Sequence, residues 1–322
     1  MRRYLDQKLR LHYLRVIDAL EIHGSLLKAS VALGVSQPAL TKTLRDLEDL
    51  VGTQLFERHT RGVRPTSSGM VMVRSSRRIL AELRRTEEDL DHLTNPFGGI
   101  AAIGALPVAA SGLAPMIVSK LRSEKNDLRV RIEEGRTEEL LPLLAAGQID
   151  LIVGRFYEPS TGEAFAREQL WNDPLAIVAR VGHPLIREPS TDMADWSAFE
   201  LVLPVAPQRV AAEIDGLLDP LGLADTPTIW STSYGFTREI LLSSDAYTIL
   251  PPMVMLGDIV RGALAAAPLP IPPAIRPAGI ITLQGRPLNA AAATFIECLR
   301  ADISLIVETH LSQLLGDASG AG

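Results

Sequence analysis

The residues from Gly24 to Arg64, GSLLKASVALGVSQPALTKTLRDLEDLVGTQLFERHTRGVR, constrain the fold more than any other stretch. Ser25 is a good N-cap. The apolar residues Leu26, Leu27, Ala29, Ala32 and Leu33 keep helical spacing until Gly34, which can take the left-handed conformation that ends a helix. Val35 is expected as a buried turn residue. Ser36 then caps a second helix, with Pro38 early in it, where a missing N–H costs nothing. The apolar set of that helix, Ala39, Leu40, Leu44, Leu47 and Leu50, leaves Gln37, Thr41, Lys42 and Arg45 largely on the opposite face.

A short helix, a tight turn and a second helix with a polar face form a helix-turn-helix, whose second helix can enter a major groove. There Gln offers a bidentate amide, Thr a hydroxyl or methyl contact, and Lys or Arg a guanine or phosphate contact. In QLFERHTRGVR, Leu55 and Phe56 are expected to point inward, with Arg58, Arg61 and Arg64 around a turn at Gly62. That is a hairpin wing whose arginines suit phosphates or a minor groove. The expected DNA-contacting set is Ser36, Gln37, Pro38, Thr41, Lys42, Arg45, Arg58, Arg61 and Arg64.

The stretch from Leu9 to Thr66, above all VSQPALTKTLRDLE followed by VGTQLFER, resembles the N-terminal domain of the LysR-type transcriptional regulators, with the helix-turn-helix at residues 26–45. Many members carry a run of small residues where this chain has Leu27-Lys28-Ala29-Ser30.

Charge supports the reading once it is counted by segment. The net charge is −6, yet residues 1–65 carry 11 Lys/Arg against 7 Asp/Glu, residues 66–95 carry 5 of each, and the remainder carries 16 against 26. The positive field coincides with the helix-turn-helix, and an acidic remainder would be repelled from DNA. Cys298 is the only cysteine and is expected in the core, so an internal disulfide or a multi-thiolate metal site is excluded. The histidines at 12, 23, 59, 92, 183 and 310 lack metal-ligand spacing, and no metal or cofactor is expected. No apolar run is long enough to span a bilayer, and MRRYLDQKLRL is followed by no apolar signal region, which predicts a cytoplasmic protein.

The winged helix-turn-helix domain, all-α with a small β wing, is expected over 9–66. Leu9 to Ile22 supplies a scaffold helix. One helix of about 40 Å follows over 67–94. In it Met72, Ile79, Leu83, Leu90 and Leu93 form a narrow seam, interrupted by Ser76 and Thr86, that suits a two-helix dimer contact. The alternative is a helix packed on its own domain. In the family this is the linker helix through which DNA-binding domains pair. Thr94-Asn95-Pro96-Phe97-Gly98-Gly99 breaks it.

Beyond the break, strands and helices alternate in two α/β units, the first with a largely parallel sheet. The resemblance implies a two-lobe, periplasmic-binding-protein-like effector domain over 98–315, with lobe 1 at about 98–170 and 275–315 and lobe 2 at about 171–274. The tail GDASGAG is expected to be disordered.

In open α/β sheets, ligands sit beyond the C-terminal ends of strands and near helix N-termini. The strand exits and helix starts nominate Pro107, Val108, Ala109, Ser111, Arg136, Thr137, Arg155, Phe156, Pro204, Gln208, Ser233 and Phe236 as effector-binding. Thr137 can cap a helix or bond a ligand. Arg155 can hold a carboxylate bidentately or pair with Glu158 or Glu163. Ser111 lacks the context of a catalytic serine, and neither GxGxxG nor GxxxxGK[ST] occurs, so no catalytic residue is assigned.

Within the family, LLPLLAAGQIDLIVGR resembles regulators of aromatic-acid catabolism and of a sugar-binding-protein operon, so the effector is a small organic acid or a sugar. The resemblance implies an activator or repressor, a homotetramer or a dimer, with promoter DNA, effector and RNA polymerase as partners and no membrane. The rival readings are a two-lobe protein of solute capture and an enzyme using the cleft.

Overall fold

The computed structural model describes residues 5–59, 62–94, 100–124, 128–156, 164–188, 192–205, 208–226, 228–272 and 274–312. By contact density the chain forms two compact units, Met1–Gly99 with Leu141–Ile149, and Ile100–Leu140 with Asp150–Gly322.

In the first unit, α1 (Leu11–His23), α2 (Leu26–Ala32) and α3 (Gln37–Val51) lead into the hairpin β1 (Phe56–His59) and β2 (Gly62–Pro65), and then into α4 (Ser67–Thr94). Ile17, Leu20, Leu40, Leu47 and Leu55 are wholly or almost wholly buried in one core with Phe56, Val63, Met72 and Val73. Each such side chain contributes about 1.5–3 kcal/mol relative to an exposed one. Ser25 caps α2 by accepting from Lys28 N, and Gly34 takes the left-handed conformation at φ 67°.

Three expectations are corrected here. Val35, expected to be buried, is 44% exposed, because Leu33 packs on the core in its place. Ala39 is exposed, since Leu40, Leu44 and Leu47 already fill the core from one face of the second helix at period 3.6. Leu27 is 59% exposed.

The helix α4 is capped at Thr66, whose Oγ1 accepts from Gly69 N at 3.0 Å. Its first turns belong to the DNA-binding core. Met72 is buried there, and Arg77 pairs with Asp18 at 2.7 Å and with Glu21 on α1. Met72 therefore drops out of the expected seam. Ile79, Leu83 and Leu90 remain exposed along one face, at 40, 37 and 59%. The Leu93 side chain, Arg61, the break at 95–99 and the tail lie outside the described residues.

The second unit carries two five-stranded sheets. The first takes β3 (Ile100–Ala105), β4 (Arg129–Glu134), β5 (Leu151–Arg155), β6 (Phe165–Asn172) and, from far along the chain, β12 (Pro277–Leu283), in the order β4-β3-β5-β12-β6. The second takes β7 (Ala176–Arg180), β8 (Leu201–Pro204), β9 (Thr228–Ser231), β10 (Tyr247–Leu250) and β11 (Leu264–Pro268), in the order β11-β7-β10-β8-β9. The longer intervening helices are α5 (Ala114–Ser123), α6 (Thr137–Ala146), α7 (Gln208–Leu218), α8 (Tyr234–Ser243) and α9 (Ala290–His310). A π-type turn at Ala109–Leu113 precedes α5.

The sheets are mixed rather than largely parallel. The β3 pairings with β4 and β5 and the β8 pairings with β9 and β10 are parallel, whereas β12 runs antiparallel to β5 and β6, and β7 antiparallel to β10 and β11. Strands β6 and β11 have no counterpart among the strands expected from the sequence. Both are edge strands without a clean period-2 signal, since FAREQLWN mixes charged, amide and apolar side chains without alternation and LAAAP is apolar throughout.

The chain crosses between the sheets twice, at Asp173-Pro174-Leu175 and at residues 269–276. The crossings are bonded together, Asp173 N donating to Arg276 O at 2.9 Å. Gly112 lies so close to Met253 O that a Cβ there would stand 1.8 Å from it. Cys298 is half-buried, with Sγ 3.9 Å from Asp302 Oδ2 on α9.

Candidate functional site: a DNA-reading helix and an effector cleft

The candidate reading helix is built by its cap. Ser36 Oγ accepts from Ala39 N at 3.3 Å, and Pro38 occupies the first turn without losing a bond. With Leu40, Leu44, Leu47 and Val51 buried, Ser36, Gln37, Pro38, Lys42 and Arg45 are exposed and Thr41 is half-exposed. The wing is an antiparallel hairpin in the register Glu57↔Arg64 and Arg58↔Val63, and both arginines are exposed. Gly62 has φ 137°, and a Cβ there would stand 2.1 Å from Gly24 O, so only glycine fits. Val63 N donates to that same carbonyl at 2.9 Å, which ties the wing to the end of α1.

In the second unit a cavity of about 500 Å³ opens between the two sheets. Of the nominated residues, Pro107, Val108, Arg136, Thr137, Arg155 and Pro204 line it. Ala109, Ser111, Phe156, Ser233 and Phe236 do not line the cavity. Ala109 is fully buried and Ser111 exposed in the π-type turn, Phe156 lies under the Arg167 guanidinium at 5.7 Å, and Ser233 caps α8 by accepting from Phe236 N. The Gln208 side chain lies outside the described residues.

Thr137 does not cap its helix. Glu139 reaches back to Arg136 N at 2.8 Å, which leaves the Thr137 hydroxyl buried on the cavity wall with no hydrogen-bond partner.

Residues not nominated from the sequence also line the wall: Asp173 and Arg276 on the crossings, and the strand exits Ser231 at the end of β9, Thr232 and Tyr234 beyond it, and Pro251 and Val254 beyond β10. Asp173 directly follows β6, a strand without a clear sequence signal, and Arg276 directly precedes β12 rather than following a strand. The usable signal was two charged residues set among prolines, Asp173-Pro174 and Arg276-Pro277.

Arg155 forms a bidentate pair with Glu213 of α7, at 2.9 and 2.8 Å, and Arg276 Nη1 reaches the same carboxylate at 3.0 Å. Glu158 and Glu163, the expected partners of Arg155, lie outside the described residues. Asp173 is 2% exposed, and burial pushes its carboxyl up to about 7 despite Arg276, the Trp171 indole N–H and Arg155 nearby.

Among the described residues, no group of three or more His, Cys, Asp or Glu could hold a metal ion, and no helix is long and apolar enough to cross a membrane.

Residues 11–70 match the family of bacterial regulatory helix-turn-helix proteins, lysR family, and residues 95–304 match the LysR substrate binding domain. The transcriptional regulator PcaQ of Agrobacterium fabrum is 30% identical over 266 residues, 82% of this chain and 86% of its own. GbpR of Azospirillum brasilense is 29% identical over 301 residues, 92% of this chain and 88% of its own. Among solved structures, a point variant of full-length OxyR from Pseudomonas aeruginosa matches with a TM-score of 0.62 at 22% identity, covering 93% of this chain and 96% of that one. Full-length CbnR complexed with its target DNA matches with a TM-score of 0.61 at 20% identity, covering 91% and 99%. These relatives are regulators, not enzymes, and the chain belongs to the LysR family of helix-turn-helix transcriptional regulators, with a DNA-binding domain followed by an effector-binding domain.

Proposed function

We propose that the chain is a cytoplasmic regulator that binds an interrupted palindrome in a promoter. Its reading set is Ser36, Gln37, Pro38, Thr41, Lys42 and Arg45, with the wing arginines Arg58, Arg61 and Arg64 on the backbone. The functional segments are the winged domain over 9–66, the linker over 67–94 and the two-lobe domain over 98–315. Subunits pair through the exposed face of Ile79, Leu83 and Leu90, and effector lobes join the pairs into a tetramer that engages RNA polymerase. A two-fold pair reads half-sites on one face of the duplex, separated by about 10.5 bp or its multiples.

The effector, a small organic acid or a sugar, sits in the cavity at Pro107, Val108, Arg136, Thr137, Arg155 and Pro204. It shifts the populations of two lobe arrangements and with them the spacing of the DNA-binding domains. The observation that carries the effector reading is the cavity of about 500 Å³ walled by both sheets, with the buried, unpartnered hydroxyl of Thr137 on it.

Selection of genomic fragments by the purified protein, followed by footprinting, tests the DNA reading. Two protected half-sites at that spacing are expected, and protection without sequence preference overturns it. A thermal-shift panel of aromatic and dicarboxylic acids against pentoses and hexoses tests the cleft. A ligand at ~100 times its dissociation constant stabilises by about 2.7 kcal/mol. The effector must also change the footprint.

A further inference from the structure

The cluster Arg155, Arg276, Glu213 and Asp173 has a feature that an empty ligand site would not need: both of its cations already hold a carboxylate of the chain itself, that of Glu213. Arg155 and Arg276 are 12 and 5% exposed in their side chains and stay charged at any physiological pH. A buried guanidinium left without a counter-anion is strongly disfavoured. Glu213 meets that need in the fork geometry in which guanidinium binds carboxylate, with Arg276 on one of its oxygens.

Of the two carboxyl groups, only Glu213 can leave. Asp173 is buried on a crossing with its backbone bonded to Arg276, whereas Glu213 is 39% exposed and belongs to α7, a helix of the other lobe. An incoming carboxylate that took the fork while Glu213 turned to solvent would leave the buried charge unchanged. A neutral ligand offers no such exchange and would leave the fork with Glu213.

We infer that Glu213 is an internal stand-in for the effector: the effector is a small carboxylate that displaces Glu213 from Arg155 and Arg276, and so releases the tie between α7 and the strand end that carries Arg155. This rests on the cleft being the effector site and narrows its ligand to the acid class. The displaced glutamate also gives the cleft its output. Arg155 ends β5 of the first sheet and Glu213 sits on the helix after β8 of the second, so occupation of the fork exchanges a lobe-to-lobe bond for a lobe-to-ligand bond.

The test is rescue of Glu213→Ala and Glu213→Gln in the full-length protein by acetate and benzoate, with acetamide and benzamide as neutral counterparts. Without additive, both variants are expected to melt below the wild type. Acetate or benzoate raises their melting temperature saturably, with an apparent affinity at least about tenfold above that for the wild type, where Glu213 competes, and the amides do nothing. Adding Arg155→Gln to Glu213→Gln removes the rescue. Equal shifts from carboxylates and amides, or equal carboxylate affinity in wild type and variants, overturn the inference. Its failure is separable from that of the cleft. If a sugar stabilises the wild type, Ile214→Phe abolishes that binding and carboxylates do not rescue, the exchange is wrong and the cleft stands. If carboxylates rescue but never alter promoter binding in the wild type, the exchange stands and the regulatory reading of the cleft is wrong.

Discussion

The carboxylate of Glu48, on the candidate reading helix, accepts the backbone N–H of Leu55 at 2.7 Å and, with the same oxygen, that of Phe56 at 3.1 Å. One side chain therefore fixes where the wing begins relative to the helix. Leu55 and Phe56 are buried, so their N–H groups have no water to turn to. Glu48→Ala is expected to destabilise the DNA-binding unit by about 1–3 kcal/mol, the cost of an orphaned buried donor. Chemical denaturation of the wild type and variant measures it, and an unchanged midpoint would show that the wing holds without this bond.

Helix and wing residues should fail differently on DNA. Lys42→Ala and Arg45→Ala remove groups on the exposed face of α3, and each is expected to cost about 1–3 kcal/mol with relaxed preference at particular base pairs. Arg58→Ala and Arg64→Ala are expected to weaken all sequences alike and to lower the slope of log affinity against log salt by about 1 each. Binding isotherms across a salt series separate the two, and an unchanged slope argues against phosphate contacts by the wing.

Leu83 and Leu90 are 37 and 59% exposed within one chain, so a charge there harms only what covers them from outside. Each occurs twice in a two-fold pair, and since only the exposed fraction is left to bury, losing that burial costs roughly 1–3.5 kcal/mol per dimer. Sedimentation of Leu83→Glu and Leu90→Glu should reveal smaller species than the wild type, with the DNA-binding unit still folded by circular dichroism. A wild-type-sized assembly would remove this face from the interface.

Burial holds the Asp173 carboxyl protonated up to about pH 7, whereas an unfolded aspartate loses its proton near 4. The folded state thus binds more protons across that window, and this group's contribution to stability is present at its lower end and is lost as pH rises through 7. His183 acts in the opposite sense. It is wholly buried, stacked on Trp196, and burial lowers its pKa, so its contribution falls as pH drops below about 6.5. Melting curves of wild type and Asp173→Asn at pH 5 and 8 isolate the first effect. The wild type should lose more stability than the variant on going to pH 8, and parallel curves would show that Asp173 does not titrate in this range.

Much of the DNA-binding half was legible because its signals are local. Ser25 and Ser36 cap the residues next to them, Gly34 and Gly62 need their own positive φ, and the spacing of Leu40, Leu44 and Leu47 reports a face of the same helix. Met72 joins the core rather than the seam because heptad spacing identifies a stripe but not its partner. The stripe runs from a core that buries Met72 to an open face that exposes Leu90.

The capped helix-turn-helix, the hairpin wing, the long helix and the alternation of strands and helices are all written locally in the chain, because each depends on chemistry within a few residues. The composition of the cleft is set by contacts between distant parts of the chain. Glu213 meets Arg155 across 58 residues, and Arg276 returns to Asp173 after the whole second lobe has been traversed. No periodicity or cap encodes such a meeting; it follows from β12 closing the first sheet between β5 and β6, which brings both crossings and their charges to one wall.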